Sequence, residues 1–311
     1  TYLCICVEVM SSYPLLFGEK LSNLFTNLMM ARSGGQKLAT MASFRPSFLK
    51  PKIALLGGLT DPTNGLIMGK TAENIARDYQ LTREECDAYA LESHRRAQVA
   101  RDNSRFAKEI VPVVALGTRK GKSSIRHDDG IRDDMPIEKL TKMKPYFEKP
   151  DGIVTIGNAC GITDAAVSLL ITTAERAESL GLKPLAGIRS FAWEGMDPSR
   201  MGLGPVYSST AALKKAKLNL SDMDVIELNE AFAAQVLGCV RAFEKQGMGE
   251  VNMDTLNPNG GAIALGHPVG ATGARLLLTL AHQLIESDKQ FGLATLCIGG
   301  GQGGSVILER I

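Results

Sequence analysis

A histidine in the last third of the sequence stands in a setting that suits proton transfer. His267 lies between Gly266 and Pro268, and small residues follow it. Such a sequence holds an imidazole on tight backbone at the start of a helix. Because a structural histidine does not need that backbone, we interpret His267 as catalytic. Only four histidines are present and none pairs with it at ligand spacing, so the sequence predicts no metal site.

A cysteine and a glycine run form the second candidate group. Cys297 ends a β-rich stretch, and Gly299 to Gly301 follow it. A phosphate-binding loop is disfavoured, because no Lys-Ser or Lys-Thr pair follows and the run leads into a strand. Instead, bare backbone at 299–301 allows an N–H group to approach a developing oxyanion. For Cys297 itself, a catalytic thiol and a buried structural cysteine remain equal alternatives.

The third candidate is an asparagine at the end of a predicted strand. Asn229 follows the apolar run 224–228 and precedes a predicted helix over 230–243. Open α/β sheets place their ligand sites at the carboxyl ends of strands, which favours a functional Asn229. Its alternative role is that of a helix N-cap.

The elements that must position these residues alternate from residue 151 onward. Strands are predicted at 152–155, 185–192, 224–228, 291–297 and 305–309, and helices at 164–173, 208–216, 230–243 and 270–286. This alternation predicts a layered α/β domain. A capping box at Thr82 and Glu85 predicts a helix through about residue 100. Residues 117–150 are polar and basic and predict a long excursion from the core.

One upstream helix has two possible environments. Apolar residues recur at helical spacing from Leu21 to Met29. This face predicts a helix that packs either on its own core or against a membrane or partner.

Three motifs taken together resemble the thiolase family. They are Asn-Glu-Ala-Phe-Ala-Ala from 229, Gly-Gly-Ala-Ile-Ala-Leu-Gly-His-Pro from 260, and Cys-Ile-Gly-Gly-Gly from 297. The likeness extends upstream through 157–164, 140–145 and 68–74, and covers nearly everything from about residue 8. Residues 11–65 look more similar to the long-chain 3-ketoacyl-CoA branch than to the short acetoacetyl-CoA branch, which implies a place in fatty-acid β-oxidation.

The resemblance implies a fold and a domain division. We expect an α/β fold, a layered αβαβα sandwich with an inserted loop domain and an incomplete first half. The expected parts are a remnant of the N-terminal half at 1–31, a CoA-covering loop domain at 32–162, a returning segment at 163–183 and the C-terminal thiolase domain at 184–311.

The resemblance also implies roles in the conversion of a 3-ketoacyl-CoA and CoA into acetyl-CoA and a shorter acyl-CoA. His267 corresponds to the histidine that activates the nucleophile and helps bind the thioester oxygen, and Asn229 to the residue that orders a water there. Cys297 corresponds to the acid/base cysteine, for which we expect a lowered pKa. Gly299 corresponds to the glycine whose N–H helps bind the acyl oxygen.

CoA is implied as a substrate, with no tightly bound cofactor. Arg132 corresponds best to the basic residue that meets the nucleotide phosphates. Arg119, Lys120 and Lys122 are either further phosphate contacts or a solvated basic loop. Cys160 stands where many members have a serine against the pantetheine arm, and a thiol is the weaker hydrogen-bonding group.

The sequence departs from the family pattern at its start. Cys4 and Cys6 lack the glycine-rich context of the family nucleophile, and only seven residues precede Glu8. We therefore expect the nucleophile segment to be absent and the turnover of this chain alone to be low. The alternative function is a non-catalytic CoA-binding or partner subunit. Missing strands would leave an apolar surface exposed or covered by an oligomer partner.

Composition limits the remaining classes. The 311 residues, with 44% hydrophobic and 22% charged residues, exclude disorder, collagen and coiled coil for the whole chain. A net charge of +2 argues against nucleic acid as main partner. Six scattered cysteines indicate reduced thiols, and the apolar start is a poor signal peptide, so we expect a cytoplasmic protein. We also expect a homodimer or tetramer, with a β-oxidation partner subunit and membrane contact as further options.

Overall fold

Four strands from the second half of the chain form the main sheet, in the order β5 (Gly187–Gly195), β8 (Gln302–Glu309), β7 (Phe291–Ile298) and β6 (Val225–Leu228). The computed structural model describes residues 1–114 and 124–311. Strands β7 and β6 are parallel, and the other two pairings are antiparallel. The eight strands in this part of the chain are β1 Tyr2–Val9, β2 Leu15–Leu16, β3 Lys52–Ile53, β4 Asp164–Ile171, β5 Gly187–Gly195, β6 Val225–Leu228, β7 Phe291–Ile298 and β8 Gln302–Glu309.

The helices cover both faces of this sheet and build a separate layer upstream. Across the described ranges they are α1 Glu19–Met30, α2 Gly34–Ala42, α3 Ala54–Gly58, α4 Met68–Asp78, α5 Arg83–Asp102, α6 Ile137–Thr141, α7 Ala174–Ser179, α8 Gly204–Ala216, α9 Ala233–Lys245, α10 Ala262–Leu265 and α11 Val269–Glu286.

The two faces of the sheet follow from alternation along its strands. Ile226 and Leu293 share a core with α8 and α9. Val225 and Ala294, one position away, pack with the leucines of α11. Since successive side chains of a strand point to opposite faces, each strand supplies both cores. Helix α11 also contacts β1 and β4, which form a separate antiparallel ribbon.

The resulting order of layers is the β1–β4 ribbon, α11, the four-stranded sheet, and then α8 with α9. The predicted layered α/β architecture is therefore confirmed. Helices α4 and α5 pack against α9 and connect the upstream region to this core. The predicted capping box is present, because the Thr82 side chain accepts from Glu85 N while the Glu85 side chain accepts from Thr82 N.

Three predictions of local structure were wrong. Residues 164–173 were predicted as a helix, but Asp164–Ile171 is strand β4, since it pairs with all of β1. Residues 152–155 form no strand; instead Glu73 accepts hydrogen bonds from the backbone N–H groups of Ile153 and Val154. Helix α9 begins at Ala233, with Phe232 as its N-cap, so Asn229 is not the cap of this helix.

A search of the described residues finds no helix with the length and apolar character that a membrane crossing requires.

Candidate active site

Asn229 leaves the end of β6 and is fully buried. Its backbone N–H donates to the carbonyl of Thr295 on β7, at 2.9 Å, which extends the parallel pairing past the strand end. Its side-chain Nδ2 lies 3.3 Å from Nε2 of His267. Its Oδ1 has no partner among the described residues. The carboxamide nitrogen thus contacts His267, and the carboxamide oxygen is available to accept a hydrogen bond.

His267 occupies the short link between α10 and α11. Gly266 precedes it with φ of +93°, a conformation that side chains rarely adopt, and a Cβ there would lie 2.4 Å from Thr163. The backbone N–H of His267 donates to Gly161 O at 3.3 Å. The glycine thus places the histidine against the 157–163 segment, as the tight backbone predicted.

Thr272 determines which ring nitrogen of His267 carries the proton. Its Oγ1 donates to Pro268 O at 2.9 Å, one turn earlier in α11. The same oxygen lies 2.7 Å from Nδ1 of His267 and can only accept there. This network assigns the proton to Nδ1 and a lone pair to Nε2. Asn229 Nδ2 then donates to that lone pair.

The imidazole is neutral near pH 7. Burial lowers the pKa of His267 to about 4, and the positive charge of Arg275 on α11 adds to the decrease. A neutral imidazole has a lone pair on one nitrogen and can therefore act as a base. Once Nε2 has taken a proton, it becomes a hydrogen-bond donor.

Cys297 lies on β7, and its thiol holds its proton more tightly than we expected. Burial raises the pKa of its thiol to about 12, so the expected lowering was wrong. The reason is its surroundings, an apolar cluster that includes Phe232 and Ile263. Side chains alternate along a strand, so the Cys297 side chain starts from the same face of the sheet as that of Leu293. Asn229, which follows β6, starts from the opposite face. No hydrogen bond joins Cys297 to His267 or Asn229 within the described part of the chain.

Gly299 begins the turn between β7 and β8 and leaves open space beside it. A Cβ at this position would meet only Met68 Sδ, at 3.9 Å. The next amide is already used, because Gly300 N donates to Asp61 Oδ2 at 2.9 Å. Asp61 is itself held by the Thr63 backbone and side chain, which lower its pKa. Sequence reasoning missed this anchor, although Asp-Pro-Thr-Asn at 61–64 is a turn signature.

Cys160 is joined to this part of the chain by a backbone hydrogen bond. Its N–H donates to the carbonyl of Ala231, two residues after Asn229, at 3.1 Å. Burial raises the pKa of its thiol to about 12, and the charge of Cys297 adds to the increase.

Arg132 lines a cavity of about 260 Å³ together with the 157–163 segment and Gly266, the residue before His267. Its backbone N–H donates to Nδ1 of buried His94 at 3.2 Å. Thr163 also lines the cavity, and its Oγ1 is buried without a partner in the described residues. A cation, an orphan hydroxyl and open space fit a polar ligand. Arg119, Lys120 and Lys122 lie outside the described residues.

Glu230 is the chief support that sequence reasoning missed. It is buried and accepts hydrogen bonds from Tyr89 Oη at 2.9 Å, Ser93 Oγ at 2.6 Å, Asn257 Nδ2 at 3.0 Å and Ile263 N at 3.1 Å. These donors come from α5, from the 257–261 loop and from α10. The signal was present as a glutamate directly after Asn229, among apolar residues that predict burial.

A second buried carboxylate, Glu227, lies two residues before Asn229. Glu227 Oε2 is 3.4 Å from Nη1 of Arg275, while Glu227 Oε1 and Arg275 Nη2 have no partner in the described ranges. Burial raises the pKa of Glu227 to about 8, against the opposing effect of Arg275. The Glu227 side chain starts from the same face of the sheet as that of Asn229, and the Arg275 charge, which lowers the pKa of His267, links this pair to the site.

The geometry therefore joins Asn229 and His267 directly. It shows no hydrogen bond between Cys297 and the histidine among the described residues, and Arg132 lines a cavity that Gly266, the residue before His267, also lines. No group of three or more His, Cys, Asp or Glu residues arranged for a metal occurs within 1–114 and 124–311.

Comparison with known proteins identifies matching families over most of the chain. The profile described as "Thiolase, N-terminal domain" matches residues 18–175, and that described as "Thiolase, C-terminal domain" matches residues 182–310. The β-ketothiolase BktB of Cupriavidus necator is 46% identical over 257 residues, which are 83% of this chain and 64% of the relative. An acetyl-CoA acetyltransferase of Syntrophomonas wolfei is 48% identical over 255 residues, which are 82% of this chain and 63% of the relative.

Solved structures agree in fold. Human mitochondrial 3-ketoacyl-CoA thiolase in complex with CoA superposes with a TM-score of 0.83 at 36% identity, covering 99% of this chain and 70% of that one. The chain spans slightly less than two thirds of the length of the curated relatives it matches.

Proposed function

This chain belongs to the thiolase family, and we propose that it contributes the oxyanion-binding and acid/base groups of a thiolase-type acyltransferase. The reaction is the reversible conversion of a 3-ketoacyl-CoA and CoA into acetyl-CoA and an acyl-CoA shortened by two carbons. The observation that carries the proposal is the 3.3 Å contact between Asn229 Nδ2 and His267 Nε2, with Thr272 fixing the tautomer.

His267 first acts as a base in this proposal. Once Asn229 Nδ2 releases the Nε2 lone pair, this lone pair takes the proton of the attacking thiol, which we assign to no cysteine of this chain. The resulting Nε2–H then donates to the oxygen of the tetrahedral intermediate. Asn229 orders a water at the same oxygen, for which its unpartnered Oδ1 is available. A neutral imidazole suits this sequence of steps, because its proton-accepting form is the resting form.

Cys297 acts as the acid. Cleavage of the carbon–carbon bond leaves the electron pair on the α-carbon of acetyl-CoA as an enolate. A thiol with a raised pKa is protonated at pH 7, donates its proton to that carbon and becomes a thiolate. The thiolate then accepts the proton of incoming CoA, whose sulfur attacks the acyl group. The Gly299 N–H supplies a hydrogen bond to the acyl oxygen in this scheme.

CoA binds as substrate, and Arg132 and Cys160 are the proposed contacts. The Arg132 guanidinium suits a phosphate, and the adjoining cavity suits a polar ligand. Cys160, next to Ala231, is the proposed neighbour of the pantetheine arm. The relative solved with CoA supports CoA as the ligand class. We extend the proposal to a homo-oligomer in the cytoplasm that works in β-oxidation.

A second candidate is a CoA-binding subunit without turnover. The observation that favours it concerns the first cysteines: Cys4 and Cys6 lie within β1, opposite Leu169 and Val167, and not at a helix start where a thiolate is stabilised. We assign the acylated nucleophile to none of the cysteines of this chain.

The test combines ligand binding with turnover. Calorimetry measures CoA affinity, and the absorbance of a 3-ketoacyl-CoA measures thiolysis. Where thiolysis by the chain is measurable, we expect H267A to lower kcat/KM at least about 100-fold while leaving CoA affinity nearly unchanged, since one oriented donor and the base are lost. The matched control is H282A, on helix α11, which follows the link that bears His267. CoA binding without thiolysis would select the second candidate, and neither binding nor turnover would overturn both.

A tautomer measurement tests the same site without turnover. Long-range ¹⁵N–¹H spectra of His267 should give the Nδ1-protonated pattern at pH 7. T272V should lose that pattern because Nδ1 loses its acceptor, and T272S should restore it. An Nε2-protonated ring in the unsubstituted protein would contradict the proposed order of steps.

A further inference from the structure

The link that bears His267 is held from both sides by the β1–β4 ribbon. Before the imidazole, the backbone N–H of His267 donates to Gly161 O, three residues ahead of β4. After it, the backbone N–H of Gly270 donates to Glu8 Oε2 at 3.0 Å, near the end of β1. Glu8 and Ala165 are directly opposite each other in the ribbon. The two attachments therefore belong to one pair of hydrogen-bonded strands.

Helix α11 begins directly after this link and has few groups of its own that could accept from its first N–H groups. Its N-cap is Pro268, whose side chain offers no acceptor, and its first turn, Val-Gly-Ala-Thr, contains no acidic residue. A helix N-terminus is stabilised by acceptors for these N–H groups and by negative charge beside them. Glu8 supplies both from a strand that lies 262 positions away in sequence.

The approach of β1 to this helix start is close enough to favour a glycine. A Cβ on Gly270 would lie 3.1 Å from Val7 O and 3.3 Å from Glu8 Oε2. The other carboxylate oxygen, Glu8 Oε1, accepts from Val9 N at 3.2 Å, which orients the side chain on its own strand. The carboxylate is thus fixed between its strand and the helix.

The first turn of α11 also contains the hydrogen-bond partner of the imidazole. Thr272 N donates to Pro268 O at 2.9 Å, and Thr272 Oγ1 lies 2.7 Å from His267 Nδ1. If this turn opens, the threonine oxygen leaves the position in which it accepts from Nδ1. The ring would then keep only the 3.3 Å contact with Asn229 to select its tautomer.

We propose that Glu8 is a positioning residue for His267. Its carboxylate caps the start of α11, keeps the first turn closed and so holds Thr272 where it fixes the proton on Nδ1. The effect passes through Gly270 and the first turn, so it requires no contact between Glu8 and a substrate. This inference rests on the role of His267 as the base in the proposed function.

Histidine-selective ¹⁵N labelling of the full 311-residue chain tests this, because only four histidines contribute signals and H267A identifies the one of interest. We expect the unsubstituted protein to show the Nδ1-protonated pattern at pH 7 and E8A to show averaging between the two tautomers. Amide exchange of Thr272 should become roughly twofold to thirtyfold faster in E8A, the range that corresponds to the loss of a capping acceptor.

Two conservative variants separate the hydrogen bond from the charge. E8Q keeps an acceptor oxygen at the same reach, so it should retain the Nδ1-protonated pattern. E8D keeps the charge but is one methylene shorter, so it should behave like E8A. The reverse order would overturn the proposal, because the charge and not the bond to Gly270 would then hold the helix start. Circular dichroism verifies folding, and the comparison of E8Q with E8D decides if E8A does not fold.

The matched control is D164A, which removes the carboxylate opposite Val9 in the same ribbon. Asp164 Oδ1 accepts from Ser11 N at 2.8 Å, so this variant should leave the His267 spectrum and Thr272 exchange unchanged. An unchanged His267 spectrum in E8A, or an equal change in D164A, would overturn the proposal and mean that Glu8 only attaches the ribbon to α11. An Nε2-protonated ring in the unsubstituted protein would overturn the proposed function as well, so the two failures are distinguishable.

Discussion

At the scale of single residues, burial shifts the pKa values of the ionisable groups in and beside the site. Glu227 lies two residues before Asn229, fully buried, with one carboxylate oxygen near Arg275 and the other without a partner in the described residues. The charges that surround this pair are Glu109 and Arg105 after α5 and Glu230 after β6. The Arg275 charge also lowers the pKa of His267, so the protonation of Glu227 bears on the base itself.

The raised pKa of Glu227 predicts how stability changes with pH. The folded state keeps the proton up to about pH 8, whereas the unfolded chain releases it near pH 4.5. Between these values the unfolded state binds fewer protons, so this residue removes stability as pH rises and its full contribution is present only below about pH 4.5. In E227Q this dependence is absent.

We therefore expect E227Q to gain stability relative to the unsubstituted protein as pH rises from 5 to 8. The gain should reach roughly 1–3 kcal/mol, since one pKa unit corresponds to about 1.4 kcal/mol. Urea unfolding at pH 5, 6.5 and 8 measures it, with the exposed Glu244→Gln on α9 as control. A difference that stays constant over this range would show that Glu227 is ionised in the folded state.

At the scale of elements, Glu230 connects three segments that carry the site. Its four donors belong to α5, to the 257–261 loop and to α10, and His267 follows α10 directly. Asn257 contributes twice, because its side chain also bonds the backbone N–H and C=O of Leu228 at the end of β6. The carboxylate thus fixes the distance between the strand that bears Asn229 and the link that bears His267.

Removing this carboxylate should be costly. E230A removes the acceptor of Tyr89 Oη, Ser93 Oγ and Ile263 N, while Asn257 Nδ2 keeps the Leu228 carbonyl, and we expect a loss of about 3–5 kcal/mol in the free energy of unfolding. E230Q keeps one acceptor oxygen and should lose about 1–2 kcal/mol. Urea unfolding gives both values, and the exposed Glu84→Ala on α5 should change stability by less than about 0.5 kcal/mol. A loss below about 1 kcal/mol in E230A would mean that water replaces the carboxylate.

Elements whose own pattern determines them were predictable from sequence. Helix α11 and strand β7 follow from their apolar periodicity, and the start of α5 follows from Thr82. Strand β4 was not, because alanine, serine and leucine in Asp164–Ile171 favour no strand on their own, and the pairing with β1 from a distant part of the chain decides it.

The candidate site also has features that the sequence predicted and features that it did not. The setting of His267 on tight backbone was readable, because Gly266 and Pro268 are local signals. The raised pKa of Cys297 was not, since it depends on apolar residues from three separate segments. The assignment of catalytic roles to these residues, and the four-part domain division, stay predictions.

At the scale of the whole molecule, the β1–β4 ribbon presents an apolar face to solvent. Cys4, Cys6 and Glu8 alternate toward the interior, and Gly270 N donates to Glu8 Oε2 at 3.0 Å. The outward positions Leu3 and Ile5, together with Val7 and Val9, are all more than half exposed. The apolar surface that we expected is thus present on the face opposite α11.

In the proposed homo-oligomer, a second copy of the chain covers this apolar face. We expect light scattering coupled to gel filtration to give a mass above that of one chain at micromolar concentration. Ile5→Lys places a charge in the centre of the patch, and burying an unpaired charge is strongly unfavourable, so the dissociation constant should rise at least about tenfold. Val99→Lys, which changes an exposed apolar residue on α5, should leave the mass unchanged.

The same measurement has an outcome that excludes this arrangement. A monomer that does not bind a hydrophobic dye would mean that the ribbon's apolar side chains are covered within one chain. An oligomer unaffected by Ile5→Lys would place the contact elsewhere.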